Sequence, residues 1–92
     1  MPELQIMFLE NLGTIQNEVI NIMLCNLNKY NKTEDILLDV TYEIIIKIME
    51  LFDGYYDRNL KLDIVNKNTS QSIMEGVQLH DKCVDFLECT DI

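Results

Sequence analysis

The sequence has no alanine, no tryptophan, one proline and one arginine, Arg58. Seven Lys and Arg stand against sixteen Asp and Glu, for a net charge of -9. Binding a phosphate backbone needs cationic side chains to displace counterions, so no direct nucleic-acid binding is expected. The same shortage speaks against an anionic membrane surface. What the acid excess favours is solubility, or a basic protein partner.

Long apolar runs are also missing: none approaches the ~18 residues of a membrane span. Met1 to Glu10 carries Glu3 and Glu10 and no basic residue ahead of an apolar stretch, unlike a secretion signal or an Arg-rich transit peptide. The expected location is the cytoplasm. Three cysteines, Cys25, Cys83 and Cys89, are an odd number without motif spacing, so they are read as reduced thiols and not as a disulfide framework. Isoleucine and asparagine are abundant, with 12 and 9 copies, and both use AT-rich codons. That usage points to an AT-rich genome, a low-GC bacterium or its phage.

What is present is enough to fold. Apolar residues form 48% of the 92 and charged residues 25%, ordinary globular usage in a length that suits a single domain with one modest core. From Pro2 to Tyr30 apolar residues recur at helical spacing, at Leu9, Leu12, Val19, Ile20, Met23, Leu27 and Tyr30. Glu10, Thr14, Asn17, Asn21 and Asn28 step along the other side, which predicts an amphipathic helix. Pro2 suits its first turn and Glu3 its dipole. Gly13 is its weak point, costing about 1 kcal/mol relative to Ala.

Asn31 or Thr33 is placed as the cap of a second helix running from Ile36 to Phe52, with Glu34 and Asp35 in its first turn. Alternation of Leu38, Val40, Tyr42, Ile44 and Ile46 with polar neighbours also fits a half-buried strand. Length decides for the helix, since no Gly, Pro or turn signal interrupts a stretch far longer than a usual strand of roughly 5–6 residues. Asp53-Gly54 ends it, and residues 55–59 read as a loop. Leu60, Leu62 and Ile64 then alternate with Lys61 and Asp63, residues 66–71 are polar and turn-rich, and Ile73-Met74 follows before Gly76. This predicts an antiparallel β-hairpin. A last helix is expected over Gln78 to Cys89, with Leu79, Cys83, Phe86 and Leu87 inward. The expected class is therefore α+β and mostly helical, in the order α-α-β-β-α, with two long helices, a small hairpin and a C-terminal helix.

A first helix of that length would measure ~40 Å at 1.5 Å per residue, against roughly 32 Å for the diameter of a compact chain of this size. Either the helix bends at Gly13 or its apolar stripe overhangs and is covered by a second copy. A homodimer with the two long helices at the interface is the expectation carried forward.

Candidate chemistry is sparse. His80 and Cys83 lie three residues apart with Cys89 nearby, but a zinc site needs four ligands and a thiol on an apolar stripe is ordinarily buried and inert. Glu50 and Asp53 are one helical turn apart, a spacing similar to the one all-α nucleotide pyrophosphohydrolases use to hold Mg²⁺. Those enzymes add a second Glu-rich helix, and Glu10 and Glu18, eight residues apart, do not supply its adjacent-turn pair. A metal-dependent hydrolase is thus the remote alternative. Asp53 to Asp57 fails as a calcium loop, with Arg58 and Ile64 where Gly and an acid belong. The three glycines are too dispersed for a phosphate loop.

No catalytic, cofactor or metal residue is therefore assigned. The pair Tyr55-Tyr56, flanked by Asp53 and Asp57, is the candidate partner-binding surface, because tyrosine is enriched at interfaces and the acids suit a basic partner. The first expectation is a small acidic non-enzymatic interaction module. Its sharper variant is an inhibitor or immunity-type protein presenting Asp35, Asp39 and Glu43, or Asp81, Asp85 and Glu88, to a basic nucleic-acid-binding site.

Overall fold

The computed structural model describes residues 2–90. Helix α1 spans Glu3–Asn26 and runs through Gly13 without interruption. Pro2 stands just outside it and accepts the Ile6 amide on its carbonyl at 3.2 Å. The chain tightens into a 3-10 turn over Leu27–Lys29, and α2 follows over Thr33–Phe52. Neither Asn31 nor Thr33 caps α2: Lys32 holds the cap position without a side-chain bond, Thr33 is the first helical residue, and Glu34 and Asp35 occupy the first turn.

The α2 stretch is helical throughout, so its alternating β-branched pattern is overridden by an apolar stripe that helical geometry collects on one side. Its end is built as a Schellman motif. The Tyr55 amide bonds the Glu50 carbonyl at 3.0 Å and the Gly54 amide bonds Leu51 at 3.1 Å, with Gly54 at φ +91°, a conformation glycine adopts without steric cost.

The short connection turns α2 back along α1. Ile15, Val19 and Met23 of α1 are buried with Leu51 and Leu60, and Ile36, Val40, Ile44 and Ile48 of α2 pack around them. Each fully buried aliphatic side chain contributes roughly 1.5–3 kcal/mol. The core is thus a seam between two helices, closed at one end by the loop after α2.

The expected hairpin, and with it the α+β class, is not formed. Among the described residues there is no β-strand, only an isolated antiparallel bridge between Val65 and Ser72. The turn at 66–71 does close, with the Asn66 amide on Gln71 at 2.9 Å and the Ile73 amide on Ile64 at 3.0 Å. The alternation of Leu60, Leu62 and Ile64 records burial, not sheet pairing: Leu60 is buried, Leu62 and Ile64 are half-buried, and Lys61 and Asp63 are exposed. Leu62 gives its amide to the Phe52 carbonyl of α2 at 3.1 Å, so the segment is fastened to a helix end. A two-residue return, Ile73-Met74, offers too few partners for a ladder.

The last helix, α3, is present but shorter than expected, spanning Leu79–Cys83. The Asp85 and Phe86 amides bond carbonyls three residues back, at 3.1 and 2.9 Å, which tightens and ends it. Leu79, Cys83 and Leu87 are half-buried, whereas Phe86, placed inward by its spacing, is 87% exposed.

Candidate functional site

The four residues singled out in the sequence do not form one surface. Asp53 is buried. Its Oδ1 accepts the Leu79 amide at 3.1 Å, and its Oδ2 accepts the His80 amide at 2.9 Å and faces His80 Nδ1 at 2.6 Å. The carboxylate thus caps α3 from the end of α2, satisfying amides that a helix start leaves open. Burial alone would push its pKa up. The His80 and Leu79 amides and the His80 ring outweigh that and hold it below the usual carboxylate value.

Tyr56 is half-buried, and its hydroxyl donates to Glu18 Oε2 at 2.6 Å, tying the loop to α1. Burial, followed by that bond, raises its pKa. Asp57 is half-buried and accepts the Asn59 amide at 2.9 Å in a local turn. Tyr55 alone faces solvent. It is exposed, lies edge-on to His80 with ring centroids 4.7 Å apart, and donates its hydroxyl to Gln78 at 3.0 Å.

Asp53 also bears on the metal alternative. Both of its oxygens are engaged by α3, and no cluster of three or more metal-ligating side chains exists among the described residues. Cys83 is half-buried with its thiol pushed up by burial, and its Sγ meets the His80 carbonyl at 3.5 Å, not the ring. The acidic row on α2 is partly covered. Asp39 accepts the Thr90 amide at 2.7 Å, the Thr90 hydroxyl, and the Tyr30 hydroxyl at 2.6 Å. Asp85 and Glu88 lie beyond the end of α3.

The surface that stands out is apolar. Residues 53–60 and 79–90 pack on one side of the α1–α2 pair, through the Tyr56–Glu18 and Thr90–Asp39 bonds. The other side is open. There α1 exposes Ile6, Leu9, Gly13, Ile20 and Leu24, with Leu27 just past its end, and α2 exposes Leu37, Thr41 and Ile45. Between the helices lies an open groove of about 350 Å³ lined by Leu12, Gly13, Ile15, Gln16, Ile44 and Ile48.

Steps of three, four and seven residues keep the α1 set on one stripe, with Gln16 and Asn17 flanking its middle. No charge falls on the α1 stripe, whereas the exposed Glu34 stands three residues before Leu37 and heads the α2 stripe. Glu3, Glu10 and Glu18 of α1, and Asp35, Asp39, Glu43 and Glu50 of α2, lie off them by the same periodicity. The spacing merged two faces into one stripe: Leu12, Val19 and Met23 point into the core, while Leu9, Ile20 and Leu27 point out of it. The legible signal was the width of the apolar arc together with the absence of charge inside it.

No helix among the described residues is long and apolar enough to cross a membrane. No protein-family description matches the chain, and neither a curated protein nor a solved structure matches it.

Proposed function

We propose that the protein is a small, non-enzymatic interaction module of the cytoplasm whose contact surface is the open apolar face of the α1–α2 pair. One observation carries this reading: in a chain of net charge -9, the open face of the first helix carries no charge from Ile6 to Leu27, and Leu37, Thr41 and Ile45 of α2 extend it, with Glu34 at its edge. Scattered exposed apolar residues are normal, but a contiguous patch of this kind marks a contact site. The acids contribute solubility and exclude acidic competitors. Tyr55, solvent-facing at the far side, is a secondary contact that suits a basic partner.

The acidic-row reading has less support, because Asp39 is engaged by Thr90 and Tyr30. The test compares the wild type with Ile20→Asp and Tyr55→Ala as bait in extract of the source organism, alongside the self-association of each by light scattering. The reading expects specific association, with itself or with a captured protein, that Ile20→Asp loses while keeping its melting temperature. Association unaffected by Ile20→Asp, or none by the wild type, would overturn it.

A further inference from the structure

The open face has an internal symmetry that names its occupant. Ile6, Leu9, Gly13, Ile20 and Leu24 of α1, with Leu27 just past its end, are mirrored about the point between Gln16 and Asn17. In an antiparallel pairing of two α1 helices centred there, Ile6 meets Leu27, Leu9 meets Leu24, and Ile20 meets Gly13. A two-fold interface requires such self-complementarity, a patch that carries both the knob and the hole. Resting on the interaction reading above, we propose that the partner is a second copy of this chain. The two copies join through antiparallel α1 helices, with Ile20 of each seated in the groove over Gly13 of the other.

Gly13 is the independent observation. A glycine inside a helix costs about 1 kcal/mol relative to Ala, and nothing within the chain requires it: its φ is not positive, and a Cβ built there meets no atom within 4 Å. The helix runs through it without interruption. What a side chain at 13 would fill is the groove walled by Leu12, Gln16, Ile44 and Ile48, the space an isoleucine from outside would enter.

The exposed area points the same way. The chain exposes 6822 Å², whereas a compact monomer of 10.8 kDa exposes roughly 5,500 Å². The excess, about 1,300 Å², exceeds the ~800 Å² per partner of a standard stable interface. The radius of gyration, 15.2 Å, is likewise larger than the roughly 12 Å of a compact chain of this length. Charge sets the salt response. The acids lie off the seam, so two chains of charge -9 repel only at a distance, and salt screens that repulsion.

Molar mass is read by size exclusion with light scattering over a range of concentrations, at low and moderate salt, for the wild type and Gly13→Leu. The expected result is twice 10.8 kDa for the wild type, held at least as firmly at moderate salt, and a twofold lower mass for Gly13→Leu. That variant should keep its helical circular dichroism, because the site is open within one chain. In a Cys25→Ser, Cys89→Ser background, Gln16→Cys should cross-link to its own copy under mild oxidation, while Thr14→Cys should not. A wild-type monomer at every concentration overturns the second copy but leaves the interaction reading to the extract experiment. A dimer that survives Gly13→Leu, or that fails to cross-link through Gln16→Cys, overturns this geometry.

Discussion

Asp53 and His80 are 27 residues apart in sequence, and their Oδ2 and Nδ1 atoms are 2.6 Å apart in space. The carboxylate that ends α2 thereby begins α3, and the same His80 ring carries Tyr55 against its edge. His80 Nε2 lies 3.3 Å from Asp81, so the imidazole sits between two carboxylates. This latch fixes the C-terminal third of the chain to a helix pair that would otherwise be open on both sides.

Replacing Asp53 should therefore act on stability and not on a contact surface. Asp53→Ala leaves the Leu79 and His80 amides without their acceptor and is expected to cost about 3 kcal/mol, with Asp53→Asn costing about half as much. Urea unfolding midpoints measure both. A loss below about 0.5 kcal/mol for Asp53→Ala would mean that water replaces the carboxylate at no cost and that the latch is not structural.

Acid should undo the same bonds. Asp53 and Asp39 are both exposed to the upward push of burial, which their hydrogen-bond donors outweigh, so each folded pKa lies below the ordinary value. A depressed folded pKa contributes stability that is present above the unfolded pKa, about 3.9 for Asp, and is lost as pH falls through the folded value. Stability should then drop below about pH 4, with a shallower slope in Asp53→Asn. Equal slopes in the two proteins would remove Asp53 from the acid transition.

On the alkaline side Tyr30 acts alongside Tyr56, whose pKa is also raised. The bond of Tyr30 to Asp39, then burial, push its pKa up to about 12. A raised folded pKa means that the contribution of this hydroxyl is present below the unfolded pKa near 10 and fades as pH rises from there to about 12. In a Tyr56→Phe background, which removes the other strongly raised phenol, phenolate absorbance should show a late-titrating component that moves down in Asp39→Asn. If that component stays in place, the Tyr30–Asp39 bond is not its source.

Thiol reactivity should divide the cysteines two to one. Cys25 and Cys89 are exposed, while Cys83 is half-buried with its thiol pushed up by burial. A disulfide reagent at neutral pH should modify two thiols quickly and the third slowly, since the thiolate is the reacting form. Cys83→Ser should remove the slow phase alone; loss of a fast phase instead would reverse the assignment.

The local pattern determined the two long helices, the stop at Gly54 and the turn at 66–71. Each follows from interactions within a few residues: periodic apolar spacing, a left-handed glycine and a cluster of turn formers. The charge balance was equally legible, and it set the character of any partner without locating the contact. Tertiary structure decided everything that depends on residues far apart. The apparent strand at Leu60–Ile64 alternates because one side packs on the core, but its amide at Leu62 goes to Phe52, a bond that no local period encodes. Asp53 and Tyr56 read as surface residues and became internal fasteners, because Leu79, His80 and Glu18 reach them from other elements. The apolar arc of α1 was visible as a composition of positions. Only the packing of α2 on Ile15, Val19 and Met23 divided it into a buried half and an open one, since a helix can turn only part of its circumference toward a single neighbour.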